Sequence, residues 1–126
     1  MAGLTLDSGA LIAFERRERR LLAHLKEAEG RGVDLTVPTA VIAEVWRGGP
    51  RAARLSLLLA VCVIEPLDDA LARRAGEALA AVTGATTIDA LVMASAATRG
   101  DRVLTSDPDD LLSLAAHFPG VRVIPL

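Results

Sequence analysis

The sequence predicts an α/β fold, a three-layer α/β/α sandwich on a mainly parallel sheet of about five short strands. Short runs rich in Val, Leu, Ile and Thr alternate with longer segments of helical periodicity. Strand–helix–strand alternation implies right-handed crossovers, which make neighbouring strands parallel and place helices on both faces of the sheet. The chain has 126 residues, so we expect residues 1–126 to form a single domain.

The first half of the chain begins with a predicted strand at 3–6, which ends in an acid. Apolar residues recurring on one stripe predict a single helix over 8–30. "VDLTVPT" (33–39) predicts a second strand, and "TAVIAEVWRG" (39–48) a helix that stops at a Gly-Gly-Pro break. The helical pattern then resumes over 50–60.

The second half alternates in the same way. "VCVIEPL" is apolar almost throughout, which is typical of a strand buried on both faces. Asp68 and Thr86 are residue types that cap helix N-termini, and Pro108 suits the first position of a helix. The predicted segments are, in order, strand 61–67, helices 68–82 and 86–100, strand 102–107, helix 108–118 and strand 121–126.

Composition excludes several classes of protein. Hydrophobic residues make up 52% of the chain and charged residues 24%, which is typical of a globular protein and not of a disordered one. No apolar run reaches the roughly 18 residues of a membrane helix, and we expect no signal peptide and a cytoplasmic location. Cys62 cannot form an internal disulfide and is expected in the core. Net charge −2 and 2% aromatic residues argue against a simple RNA-binding module.

Four acids stand out, and each has a structural explanation. Asp7 can cap the helix that follows it, and Asp107 can cap the helix opened by a proline. Asp89 lies three residues after a threonine, as in a capping box. Glu44 can pair with Arg47 on the same helix.

Taken together, the four acids predict a metal site. Asp7 and Asp107 follow strands of one parallel sheet, so both lie at its carboxyl edge, where ligands collect in such folds. Asp89 begins a helix at that edge, and Glu44 can lean over the same crevice. Carboxylates that share a crevice repel one another unless a cation lies between them. Oxygen ligands select a hard divalent ion, Mg²⁺ or Mn²⁺.

Four blocks of this sequence occur in an order and spacing that resembles a known family: "LDSGALIA", "VPTAVIAEVWRGG", "TTIDALVMASAATRG" and "RVLTSDPDDL". The chain resembles a PIN domain along its whole length, and in particular the VapC-type toxins of bacterial toxin–antitoxin pairs. The resemblance implies a PIN-like fold and a metal-dependent ribonuclease. Its catalytic and metal-binding residues would be Asp7, Glu44, Asp89 and Asp107.

The resemblance also implies RNA as the substrate and a cognate antitoxin as a partner, and it favours a homodimer. Thr105 or Ser106 stands where the family places a small hydroxyl residue beside the last acid. Arg47 and Arg51 flank a flexible break near the glutamate and can contact phosphates. Ser8 is a further candidate for substrate contact.

Three other interpretations remain open at this point. An acid after the first strand also opens the folds of Asp-nucleophile phosphoryl-transfer enzymes, although the second acid of such phosphatases is missing. The acids can also be caps in a non-catalytic binding or dimerisation module. His24 and His117 allow metal-free acid–base cleavage in principle. The sequence does not identify the RNA, the cleavage sequence, the number of metal ions or the antitoxin.

Overall fold

The computed structural model describes residues 2–126 and is organised around one five-stranded sheet. The strands are β1 (Leu4–Leu6), β2 (Leu35–Pro38), β3 (Val63–Glu65), β4 (Arg102–Thr105) and β5 (Arg122–Pro125). The sheet order is β3-β2-β1-β4-β5, and all four neighbouring pairs are parallel. The predicted α/β class with a parallel sheet of five short strands is therefore confirmed.

Helices connect the strands and cover the sheet. They are α1 (Ser8–Glu15), α2 (Arg19–Arg31), α3 (Thr39–Val45), α4 (Ala53–Leu59), α5 (Asp69–Ala81), α6 (Thr87–Arg99) and α7 (Pro108–Leu112), with a 3₁₀ turn at Pro50–Ala52. Asp68 and Thr86 cap α5 and α6 through their side chains, as predicted. Across residues 2–126, every helix is too short or too polar to cross a lipid bilayer.

The order of the strands places a crevice beside the central strand. From β1 the chain moves outward through β2 to β3, and it then returns to place β4 on the other side of β1. In parallel sheets, ligands bind outside the carboxyl ends of the strands at the point where this order reverses. That point lies between β1 and β4, and the residues that follow these two strands are Asp7 and Ser106.

The core is formed largely by α6 and the central strands. Residues Ala90–Ala96 of α6 are all buried, and most of them are small. Small side chains allow a helix to pack closely, and α6 contacts β1, β2 and β4 as well as α5. The first turn of α6 is thereby fixed beside the carboxyl edge of the sheet.

The prediction of one helix over 8–30 is wrong, because the chain breaks between α1 and α2. Arg17 adopts a left-handed conformation with φ 58°, and the Glu18 amide bonds back to the carbonyl of Ala13. The segment "ERRERR" carries no apolar side chain that could hold a continuous helix against the core.

Three further predictions need correction. The segment 61–67 is not a buried strand, because β3 is the edge of the sheet and Val63 is 50% exposed. Cys62 next to it is half-buried rather than in the core. The helix predicted over 108–118 ends at Leu112 and continues as turns that bury Leu114 and Phe118.

Candidate active site

Asp7 lies directly after β1 and is both a helix cap and a buried carboxylate. Its Oδ1 accepts a hydrogen bond of 2.9 Å from the Ala10 amide, so the predicted capping role is confirmed. Burial raises the pKa of Asp7 to about 6, and hydrogen bonds from Thr105 and Ala10 offset only part of this effect. The charges of Asp89 and Asp107 raise the pKa further. Capping therefore accounts for only part of the surroundings of Asp7.

Asp107 follows β4 and lies on the same edge. The prediction that it caps α7 is wrong, because its side chain makes no capping hydrogen bond. Its amide instead donates to the buried Thr105 hydroxyl at 2.9 Å. A hydrogen bond with the carboxyl of Asp110, together with the charge of Asp110, raises the pKa of Asp107.

Asp89 lies in the first turn of α6, and its carboxylate does not cap the helix. Thr86 caps the helix by accepting a hydrogen bond of 3.2 Å from the Asp89 amide. Burial raises the pKa of Asp89, the Thr86 hydrogen bond lowers it, and the charges of Asp110, Glu44 and Asp107 raise it. Asp89 is thus the acid that interacts with the others most widely.

Glu44 projects from α3, and its carboxylate accepts a hydrogen bond from the Ser8 hydroxyl of α1. The alternative pairing of Glu44 with Arg47 is wrong. The guanidinium of Arg47, which follows α3, instead donates to main-chain carbonyls around the end of that helix, with 2.8 Å to Trp46 O and 2.9 Å to Glu44 O. The negative charge of Glu44 is therefore left at the crevice.

The predicted acids come from four separate elements and interact electrostatically at one edge of the sheet. Ion pairs among residues 2–126 are formed elsewhere, at Glu27–Arg31, Asp69–Arg73, Glu65–Arg99 and Asp101–Arg99. None of the four site acids has a basic partner in this described part of the chain. Their negative charge is uncompensated by side chains.

This donor set fits a hard divalent cation by its chemistry, because it offers carboxylate oxygens and uncompensated charge. The distances between the acids do not yet form a full ligand set. Among the side chains of residues 2–126, no three His, Cys, Asp or Glu groups are close enough together to hold a metal ion. The acids therefore line a shared crevice without forming a closed ligand shell.

The predicted substrate-contacting residues divide into two groups. Thr105 is buried and hydrogen-bonded to both strand-end aspartates, and Ser8 is bonded to Glu44. Ser106 and Arg51 are exposed, and Arg47 is exposed but bound to its own backbone. A neighbouring arginine, Arg54, bonds to the Phe14 carbonyl at 2.9 Å and stacks over that ring, so it stabilises the fold rather than offering a free charge.

The sequence pattern indicates only an exposed charge at Asp110, and it does not predict a buried network around Asp101. Asp110 lies in the first turn of α7, where a solvated charge is the ordinary expectation, yet its charge raises the pKa of both Asp89 and Asp107. Separately, the buried Asp101 accepts hydrogen bonds from the Gly3 amide, the Thr5 hydroxyl and Arg99. Its position beside a helix-ending glycine gave no sign of these distant partners.

A cavity lies away from the acids. It is an open groove of about 790 Å³ between α2, α4 and the start of β2. Apolar side chains dominate its walls, among them Leu22, Leu25 and Leu57. Leu57 is 72% exposed, so this part of the surface is unusually apolar.

Comparison with known proteins identifies the same architecture. Residues 4–116 match the family model described as PIN domain. Among solved structures, a chain of VapBC2 from Rickettsia felis, bound to a DNA fragment from their promoter, has a TM-score of 0.78 at 12% identity, with 98% of each chain covered.

A chain of DNA-bound VapBC from Salmonella typhimurium has a TM-score of 0.74 at 14% identity, with 99% of this chain and 98% of that chain covered. A chain of FitAcB from Neisseria gonorrhoeae has a TM-score of 0.63 at 19% identity, covering 96% of both. No curated protein matches the sequence significantly. The similarity to these complexes is one of fold.

Proposed function

Since the chain belongs to the PIN domain family, whose members are generally nucleases, we propose that it is a Mg²⁺- or Mn²⁺-dependent endoribonuclease. Asp7, Glu44, Asp89 and Asp107 are its catalytic and metal-binding residues. The observation that carries this proposal is that four acids from separate elements interact electrostatically at one sheet edge and have no basic partner among residues 2–126. Such a cluster is costly unless a cation shares it.

A bound divalent ion would lower the pKa of a water molecule and neutralise charge on the scissile phosphate. Asp7 and Asp89 are the direct ligands in this proposal, because they are the two site acids shielded from solvent. Glu44 and Asp107 hold the ion directly or through water, or accept the proton of the attacking water. Thr105 orients Asp7 through its hydroxyl and fixes the Asp107 backbone.

The test is cleavage of a fluorescently labelled single-stranded RNA with Mg²⁺, with Mn²⁺ and with EDTA. We expect cleavage only with a divalent ion. The cleavage rate is expected to fall at least about 100-fold in Asp7→Asn and in Asp89→Asn, since each substitution removes the charge of a metal ligand. Asp69→Asn is the control, because this acid forms an exposed pair with Arg73 on α5. Retention of activity in both site variants would contradict the proposal.

We further propose that residues 1–126 act as one domain, a cytoplasmic VapC-type toxin that a cognate antitoxin neutralises and that forms a homodimer. The fold similarity to chains from VapBC and FitAcB complexes supports the antitoxin, as does the exposed apolar groove. Expression of the wild type is expected to stop growth, and the test of the antitoxin is whether co-expression of the product of the gene immediately upstream restores it. Light scattering after size-exclusion chromatography tests the dimer.

A non-catalytic module is the second candidate, and one observation favours it: Asp7 does cap α1 through Ala10. In such a module the acids would serve only the fold. A Mn²⁺ titration separates the two candidates. The nuclease is expected to bind Mn²⁺ and to lose this binding in Asp7→Asn, whereas a module whose acids are only caps is expected to bind no Mn²⁺ at these residues.

A further inference from the structure

One hydrogen bond connects two of the site elements directly. Ser8 is the first residue of α1, and its hydroxyl donates to Glu44 on α3. Among the hydrogen bonds and ion pairs of residues 2–126, Ser8 is the one partner of the Glu44 carboxylate. Arg47, the nearest cation in sequence, is held by main-chain carbonyls.

Glu44 needs such a partner more than the other acids do. It is exposed on a helix of seven residues, and a glutamate side chain has three rotatable bonds. Ser8 follows Asp7 immediately in the chain, and the Asp7 side chain is fixed by its bond to Ala10. A carboxylate bonded to Ser8 is therefore held at a defined position relative to Asp7.

We propose that Ser8 is a positioning residue that orients the Glu44 carboxylate toward the crevice through its hydroxyl. This role differs from contact with substrate, and it rests on the proposed function of the site as a metal-dependent nuclease. Ser8 acts through Glu44 alone. Removal of residues that orient a metal ligand typically weakens metal affinity 10- to 100-fold.

Mn²⁺ binding, measured by the electron paramagnetic resonance signal of the free ion, tests the proposal without any substrate. We expect Ser8→Ala to raise the dissociation constant about 10-fold. Ser8→Thr keeps the hydroxyl and is expected to stay within about 2-fold of the wild type. In a Glu44→Ala background, Ser8→Ala is expected to have no further effect, because its target is gone.

Urea unfolding in EDTA accompanies the binding measurement, and the midpoint for Ser8→Ala is expected to lie close to that of the wild type. An unchanged Mn²⁺ dissociation constant in Ser8→Ala would overturn the proposal. It would also be overturned if Ser8→Ala weakened Mn²⁺ binding equally in the wild-type and Glu44→Ala backgrounds. Failure of Ser8→Thr to restore affinity would also count against it. A wild type that binds no Mn²⁺ would instead contradict the proposed function, and this inference with it.

Discussion

Asp7 combines two roles whose energetic demands differ. As a cap it needs only an oxygen that accepts from the Ala10 amide, and a neutral asparagine supplies one. As a site acid it carries a charge in a buried position, which raises its pKa to about 6. The charge therefore costs stability that the cap does not require.

Asp7→Asn is expected to stabilise the metal-free protein near neutral pH. The folded-state pKa of Asp7 is raised from 3.8 to about 6, so the folded protein binds more protons in this range. The contribution of Asp7 to stability is fully present below about pH 4 and is lost as the pH rises to about 6. The gain from asparagine is at most about 3 kcal/mol above pH 6 and disappears below pH 4.

Urea unfolding in EDTA between pH 4 and pH 8 measures this difference, and Asp69→Asn is the matched control. The control acid is exposed, so its curve should run parallel to that of the wild type. If the free energy of unfolding of Asp7→Asn also varied with pH in parallel with that of the wild type, the buried charge of Asp7 would not destabilise the protein.

The same protonation predicts how cation binding depends on pH. Burial raises the pKa values of Asp7 and Asp89, so protons compete with a metal ion at mildly acidic pH. We expect Mn²⁺ affinity to be constant above about pH 7 and to fall about tenfold or more per pH unit below pH 6. Isothermal titration calorimetry from pH 5 to pH 8 checks this, and a flat profile would contradict the assignment of Asp7 as a ligand.

At the scale of elements, α1 and the loop after β4 approach so closely that Gly9 has no room for a side chain. A Cβ at this position would overlap Ser106 Oγ and lie 3.2 Å from Ser106 Cβ. The absence of a Cβ at Gly9 therefore allows the loop that carries Asp107 to lie against the first turn of α1.

Gly9→Ala is expected to destabilise the protein by about 1–2 kcal/mol, even though alanine favours helices by up to about 1 kcal/mol. Ser106→Gly removes Oγ and Cβ and leaves only the backbone nitrogen at 3.3 Å, so the double variant Gly9→Ala/Ser106→Gly is expected to recover most of the loss. Thermal unfolding measures all three variants. If Gly9→Ala stabilised the protein instead, the loop after β4 would be able to move away from the new Cβ without loss of stability.

Sequence patterns predicted elements well where local chemistry determines them, as in the Thr86 cap of α6 and the strand that ends at Asp7. They failed where neighbours in space decide the outcome. The continuous apolar run of β3 suggested burial, but its place at the edge of the sheet depends on the strand order. The partner of Glu44 could not be predicted either, because Ser8 lies 36 residues away.

For the molecule as a whole, the strand order decides which residues form the site. The sheet brings the ends of β1 and β4 together although they lie about a hundred residues apart in the chain. The position of Asp7 and Asp107 at one edge of the sheet could be predicted because parallel strands share a carboxyl edge, and this rule needs no knowledge of the strand order. The rule does not give distances, so the incomplete ligand shell could not be predicted.

A second long-range connection lies among the strands and should support the whole fold. Arg99 bonds to Asp101 at 2.9 Å and to the Thr5 hydroxyl at 2.8 Å, and it pairs with Glu65. One side chain of α6 thus connects β1, β3 and the start of β4. Asp101 is only 3% exposed, so its charge depends on these partners.

Arg99→Met is expected to destabilise the protein by about 3 kcal/mol, because it leaves buried carboxylates without a cation. Arg73→Met is the control, since its pair with Asp69 is exposed and should contribute below about 1 kcal/mol. Urea unfolding at pH 7.5 compares the two. Similar losses in both variants would show that the Arg99 network is no stronger than a surface pair.

The common direction of the strands also separates the site acids from the turn that precedes β2. The turn between α2 and β2, which includes the exposed Gly32, precedes a strand and so lies at the opposite edge of the sheet from Asp7 and Asp107. A fluorophore or surface tether fixed to that turn would stand clear of the carboxylates, so cation binding can be measured on the attached protein. The turn before β2 is thus an attachment point that lies far from the site acids.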